Sequence, residues 1–227
     1  MLFLNAIKTK IIKISNFAKD MINVLYIHGM GGGADSRIPS ILSEALVDKV
    51  SVIARTYDFD PEVAALQIRQ WVDELKPRLI IGESLGSMHA LRIKGVPHLF
   101  VSPALNASFH FEFMAWLCLI PGVTRIFDSI YKPREGDRQK LHFTFRILRK
   151  YRAHRRTALA TSKSSADLYF AFIGTDDHYR KNGVVSLKSW RKQFGNAFQI
   201  YNGTHFMEEE HIYALLIPKI CEVLNIK

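Results

Sequence analysis

Beyond Met21 the chain alternates short apolar runs with stretches in which apolar residues recur every three or four positions. Runs rich in β-branched and aromatic residues predict strands at 23–27, 51–56, 79–82, 98–101, 168–173 and 197–201. The helical spacing predicts helices over 39–49, 62–75, 84–94, 184–194 and 208–224. Several of these are opened by a serine, by Asp60-Pro61, or by the acidic run Glu208-Glu209-Glu210, which suits a first helical turn. Strand and helix in turn is the pattern of an α/β fold: a mostly parallel sheet of about six strands with helices on both faces, forming one domain over 21–227.

One interval breaks the rhythm. About 65 residues separate the strand at 98–101 from the one at 168–173, where an ordinary connection takes about 2 to 6. Residues 106–165 are therefore expected to fold on their own, as a helical lid insertion. Its first part, 109–117, is greasy and aromatic; its second, 140–156, interleaves seven Lys/Arg with Phe143, Phe145 and Tyr151.

Ahead of Met21, residues Leu4, Ile7, Ile11, Ile14 and Ala18 fall on one side of a helix that carries four lysines elsewhere. Residues 1–20 thus read as a basic amphipathic helix. It either packs on the body or a partner, lies on anionic lipid, or is an upstream extension of a chain that starts at Met21. It lacks the apolar middle and small-residue cleavage site of a secretory signal.

Charge sharpens this division. The chain carries a net +10, of which residues 1–20 hold four lysines against one acid and residues 125–163 hold twelve Lys/Arg against three acids. The remainder is close to neutral, which excludes a generally cationic nucleic-acid binder and points to two segments able to meet an anionic group or a membrane surface. No recognised nucleic-acid motif accompanies them, so nucleic acid is not the expected partner. The longest apolar run, 113–121, falls short of the ~18 to 20 residues a membrane span requires. Two cysteines without metal-ligand or disulfide spacing suit a reducing compartment, and the expected location is cytoplasmic, with attachment to a membrane surface as the variant.

The chemistry sits where the strands end, because an open parallel sheet binds ligands beyond the carboxyl ends of its strands. After the strand at 79–82 comes Gly82-Glu83-Ser84-Leu85-Gly86, a strand-turn-helix elbow that would expose the Ser84 hydroxyl as a nucleophile. After the first strand comes His28-Gly29-Met30-Gly31-Gly32-Gly33, whose glycines let the backbone approach a ligand and present N–H groups; an oxyanion loop is favoured over a phosphate cradle, since the Lys-Ser/Thr of a P-loop is missing. The turn at Ser102-Pro103 reads as structural. Gly174-Thr175-Asp176-Asp177 supplies a carboxylate, from either aspartate, to orient a histidine, and Asn202-Gly203-Thr204-His205 supplies that histidine. Serine, aspartate, histidine is the chain order of this architecture. His28 is expected to shape its loop, His89 to pack, and Glu83 to point outward or pair with a cation.

These four turns resemble the signature turns of α/β-hydrolases across 21–227. The Asp60-Pro61-Glu62 helix start and the block 78–90 are similar to compact bacterial esterases of the YqiA/YcfP type. The resemblance implies Ser84 as nucleophile, His205 as base, Asp177 rather than Asp176 as its orienter, and the N–H groups of Met30 and Leu85 as the oxyanion hole. Met88, where many such enzymes carry a bulky aromatic, and the long basic insertion depart from that pattern. The expected activity is a serine hydrolase cleaving a small-molecule ester or thioester through an acyl-enzyme, with no metal or organic cofactor. An acyltransferase with the same three residues, or a non-catalytic scaffold binding nucleic acid or an acidic partner through its basic lid, is the alternative.

Overall fold

The computed structural model describes residues 21–133 and 135–226; the amphipathic helix expected over 1–20 lies outside them. Six strands form one sheet: β1 (Ile22–Ile27), β2 (Val50–Ala54), β3 (Leu79–Glu83), β4 (His98–Val101), β5 (Tyr169–Gly174) and β6 (Phe198–Tyr201). Their order is β2-β1-β3-β4-β5-β6, and every pair is parallel. Each expected strand is present, its ends moved by at most two residues.

Strand alternation divides the core in two. Val24 and Tyr26 of β1 face a cluster completed by α1 (Arg37–Ala45) and the C-terminal helical segment. Leu25 and Ile27 face the opposite cluster, which is covered by α2 (Pro61–Leu75), the elbow helix α3 (Gly86–Ala90), and elements of the insertion. Helix α2 starts where its sequence dictates: Asp60 accepts from the Glu62 N–H at 3.0 Å and Pro61 occupies the first turn, where a missing N–H is harmless. It ends at Lys76, whose φ is 45°.

The insertion between β4 and β5 holds α4 (Ala107–Leu117), α5 (Val123–Ile130) and α6 (Phe145–Lys163). The expectation of one lid over 106–165 needs correcting. Helix α6, capped by Thr144 on the Ile147 N–H, buries Leu148, Tyr151, His154, Ala158 and Ser162, so the basic half is a layer of the core. Its charges are largely engaged within the protein: Lys150 pairs with Asp60 and Glu62, Arg149 and Arg152 with Glu112, and Arg155 donates to the Leu105 carbonyl. Helix α5, by contrast, buries no residue.

Two other elements differ from the periodicity. The elbow helix runs only to Ala90, after which Arg92 and Ile93 donate to carbonyls three residues back, tightening the chain into a turn. After α7 (His178–Lys181) and α8 (Leu187–Phe194), the C-terminal segment is interrupted: α9 (Glu209–His211) passes through a π-helical turn, Ile212–Leu216, into α10 (Ile217–Leu224). Pro218 lies just after that turn and has no N–H for the regular ladder, which accounts for the irregular register there.

Of the buried histidines, four are shifted by their surroundings. His28, His98 and His154 are nearly inaccessible, and desolvation pulls their imidazoles down to about 4, about 4 and about 3. Buried His89 is shifted in the same direction for the same reason. Unfolded, these rings take up protons below 6.5; folded, His28 and His98 resist until about 4 and His154 until about 3. Between those values the unfolded state binds more protons, so stability falls as pH falls, by up to ~1.4 kcal/mol per pH unit for each ring. The melting temperature is expected to drop steadily on acidification through that window. A flat profile in differential scanning calorimetry would show that the rings are charged in the native protein.

Candidate active site

The turn leaving β3 is set by space. A Cβ on Gly86 would collide with the carbonyl oxygens of Ile27 and His28, and one on Gly82 would lie 3.0 Å from Ser87 Cα. Glycine at 86 lets α3 press against the end of β1, and glycine at 82 lets it lie close over β3. Between them Ser84 holds a φ of 47°, a left-handed conformation that is unfavourable for a side chain and turns its hydroxyl outward. Its N–H donates to the Val101 carbonyl at 2.9 Å and its carbonyl accepts from the Ala104 N–H, so the end of β4 and the turn after it brace it.

Asp177 and His205 arrive from the next two strand ends. A Cβ on Gly174 would strike the carbonyls of Gly203 and Thr204, so the two loops lie in contact. Hydrogen bonds from Thr175 N–H to the Tyr201 carbonyl and from Asp176 N–H to the Gly203 carbonyl join them. Asp177 caps α7, accepting from the Tyr179 N–H at 2.8 Å through Oδ1. Its Oδ2 faces His205 Nδ1 at 2.8 Å, and His205 Nε2 lies 2.9 Å from Ser84 Oγ. Asp177 and His205 are both buried, whereas Asp176 is exposed and makes only the backbone contact. Burial alone would raise the Asp177 carboxyl, but the hydrogen bond and charge of His205 and the Tyr179 N–H outweigh it and hold the group below its usual range. As a carboxylate, Asp177 accepts from Nδ1–H, which leaves Nε2 as an acceptor for the serine proton.

The histidine ring is fixed by neighbours that the sequence did not single out. Tyr179 meets it edge-on at 4.5 Å, and Arg37 of α1 donates to the carbonyls of Phe206 and Met207, holding the loop that follows. Glu208, expected only as an acidic first turn, also accepts from the Thr204 N–H at 3.0 Å. Glu83 neither points free nor pairs with a cation; it accepts from the buried Tyr26 hydroxyl at 2.7 Å.

The glycine-rich loop after β1 is held from three sides. His28 stacks on Tyr57 at 4.2 Å and faces the Gly29 carbonyl through Nδ1, and the Tyr57 hydroxyl donates to the His28 carbonyl. Buried Gln139 of the insertion accepts from the Gly31 N–H, donates to the Tyr57 carbonyl, and donates its own N–H to the Gly32 carbonyl at 2.7 Å. Gly33 and Ala34 donate to Ser36 and Thr56. Among the described residues, the N–H groups of Met30 and Leu85 have no protein acceptor. Gln139 lies over a hundred residues from the loop it anchors, and no local signal marks it.

A cavity of about 810 Å³ opens over Ser84 and His205. Its walls are mainly apolar, from Met30, Phe111, Met114, Phe143, Val184 and Phe206, with Lys132 and Arg138 among the polar lining.

No protein-family model matches the chain, and no curated protein matches it in sequence. Solved structures do match in shape. A monoacylglycerol lipase of Paleococcus ferrophilus superposes with a TM-score of 0.60 at 15% identity, over 88% of this chain and 94% of that one. A structure from work on carboxylesterases of the thaumarchaeon Nitrososphaera gargenis gives 0.56 at 14% identity, over 90% and 92%. The thioesterase domain from the curacin biosynthetic pathway gives 0.52 at 16% identity, over 88% and 92%. Six parallel strands in this order, helices on both faces, and these likenesses over nearly the whole chain give one conclusion: the protein has the α/β-hydrolase fold.

Proposed function

We propose that the protein is a serine hydrolase that cleaves a carboxylic ester or thioester through an acyl-enzyme on Ser84. The observation that carries this reading is the unbroken line from Ser84 Oγ to His205 Nε2 and from His205 Nδ1 to Asp177. In this reading Ser84 Oγ attacks the acyl carbon while His205 takes the hydroxyl proton. The tetrahedral oxyanion rests on the N–H groups of Met30 and Leu85, whose lack of a protein acceptor fits that task. Collapse of this intermediate expels the alcohol or thiol, which leaves with the proton carried by His205. Water, deprotonated in turn by His205, then attacks the acyl-serine and releases the acid and free Ser84. Asp177 keeps Nδ1 protonated and stabilises the imidazolium throughout. The apolar cavity suits an acyl group, and the lipases, carboxylesterases and thioesterases of similar shape agree with ester chemistry. A scaffold that binds through a basic insertion is less supported, since the cations of α6 are largely paired within the chain.

A fluorophosphonate probe is expected to label the wild type, and labelling should vanish in Ser84→Ala and His205→Ala. An unlabelled wild type whose pocket still admits the probe would end the hydrolase reading. Asp177→Asn keeps the shape but offers Nδ1 the wrong partner; kcat on a small ester should fall by about 10³ to 10⁴-fold. A loss under tenfold would mean that Asp177 acts only as a helix cap. Gln139→Leu removes the anchor of the Gly31 N–H and leaves buried groups unpaired, at about 1 to 3 kcal/mol each. Here kcat should fall with little change in KM, because a loosened loop weakens oxyanion binding more than ground-state binding. A variant that loses stability with unchanged kcat would refute a positioning role for Gln139.

A further inference from the structure

Among the described residues, the largest group of exposed large apolar side chains falls on one stretch of the insertion. Phe113, Trp116, Leu119, Ile120, Ile126 and Ile130 are between 54% and 67% exposed, and all belong to α4, α5 or the turn joining them. Elsewhere the exposed large apolar residues, such as Val47, Leu66, Leu168 and Tyr213, stand on separate elements. Scattered apolar residues are ordinary on a surface; six within eighteen consecutive positions mark a contact site. Helix α5 is held from one side only, where Asp128 accepts from the Phe143 N–H and faces His142 Nδ1 at 2.7 Å. Ile126 and Ile130 are left exposed.

The patch is ringed by cations. Arg149 lies over the Trp116 ring at 5.6 Å and Arg155 over Phe109 at 4.8 Å. Arg125 and Arg146, both exposed, have no carboxylate partner among the described residues, and neither does Lys132 at the pocket mouth. This ring decides between possible occupants. A second copy would bring the same positive rim against its own, and residues 1–20 carry four lysines against one acid, so both meet like charge. An occupant that is both apolar and anionic meets no such opposition. Phe113 belongs at once to the patch and to the pocket lining, so whatever covers the patch lies at the entrance to the site.

We propose that α4, α5 and their connecting turn dock on an anionic lipid bilayer, with Leu119, Ile120 and Ile126 entering the acyl boundary and Arg125, Arg146 and Lys132 meeting the headgroups. Apolar insertion and basic contact are the two components of interfacial binding, and each cation near the surface strengthens partition about fivefold. The pocket then opens toward the membrane, and its substrates arrive from the lipid phase.

The experiment is co-sedimentation of the full chain with phosphatidylcholine vesicles, with and without phosphatidylserine. The wild type should pellet with the anionic vesicles, and more salt should release it. Leu119→Ser/Ile120→Ser/Ile126→Ser alters no pocket residue and no buried one; it should cut binding at least about tenfold while turnover of a soluble ester stays unchanged. Ser84→Ala should bind as the wild type does, which separates this surface from the chemistry. Failure of the wild type to pellet with anionic vesicles overturns the proposal. So does a triple variant that binds normally while Gln at Lys8, Lys10, Lys13 and Lys19 abolishes binding, since attachment would then lie in residues 1–20. A concentration-dependent dimer that the triple variant dissolves would assign the patch to a second copy and overturn it equally.

Discussion

The site depends on how closely α3 can approach the end of β1. The approach is limited by one atom: any Cβ at position 86 would occupy the space of the Ile27 and His28 carbonyls. With glycine there, the helix that follows Ser84 lies against the strand that precedes the glycine-rich loop. A Cβ built on Gly29 would sit 3.1 Å from Ser84 Cβ, so the loop and Ser84 share one wall. The left-handed backbone of Ser84 follows from this crowding, because the chain must reverse from strand to helix within two residues. The strain is held from the β4 side, through the bonds to Val101 and Ala104.

The same device recurs two strands along. Gly174 lets the turn after β5 touch the turn after β6, and the backbone bonds across them set how far Asp177 stands from His205. Asp177 does two jobs with its two oxygens, capping α7 with one and meeting the imidazole with the other. Removal of its charge would therefore disturb both a helix start and a tautomer. Asp176, one residue earlier, has its N–H tied to the Gly203 carbonyl and its side chain in solvent, which is why adjacent residues of one type have separate roles.

The sequence exposed most of this because the relevant signals are local. Strand periodicity marked β1 to β6 within a residue or two, and Ser84, Asp177 and His205 each stand directly after a strand, where parallel sheets converge their loops. What escaped were partnerships across the chain. Gln139 reaches Gly31, Arg37 reaches Phe206, and Tyr26 reaches Glu83, and none of these residues differs in type or spacing from an ordinary surface or core residue. The basic half of the insertion misled for a related reason. Its lysines and arginines read as a free cationic face, yet the stems and heads of Lys150, Arg152 and Arg155 are directed at partners supplied by α2, α4 and the turn after β4. Composition reports charge, and only the fold reports whether that charge is already answered.

Helices α5 and α6 show two different constraints acting within one insertion. Helix α6 is required by the body: without Leu148, Tyr151 and Ala158 the apolar cluster formed with α2, α3 and α4 would be open to water. Its residue pattern is accordingly explained by what it covers. Helix α5 covers almost nothing, and a helix that buries no residue gains little from folding onto the body. Were water its only neighbour, polar residues at 126 and 130 would serve it better than isoleucines. The isoleucines follow Trp116, Leu119 and Ile120 within a short stretch of chain that also carries Arg125 and Lys132, so apolar exposure and unanswered positive charge coincide in the one part of the insertion that the core does not need. That coincidence is explained by a surface outside the protein, and its position at the pocket mouth ties that surface to the chemistry at Ser84.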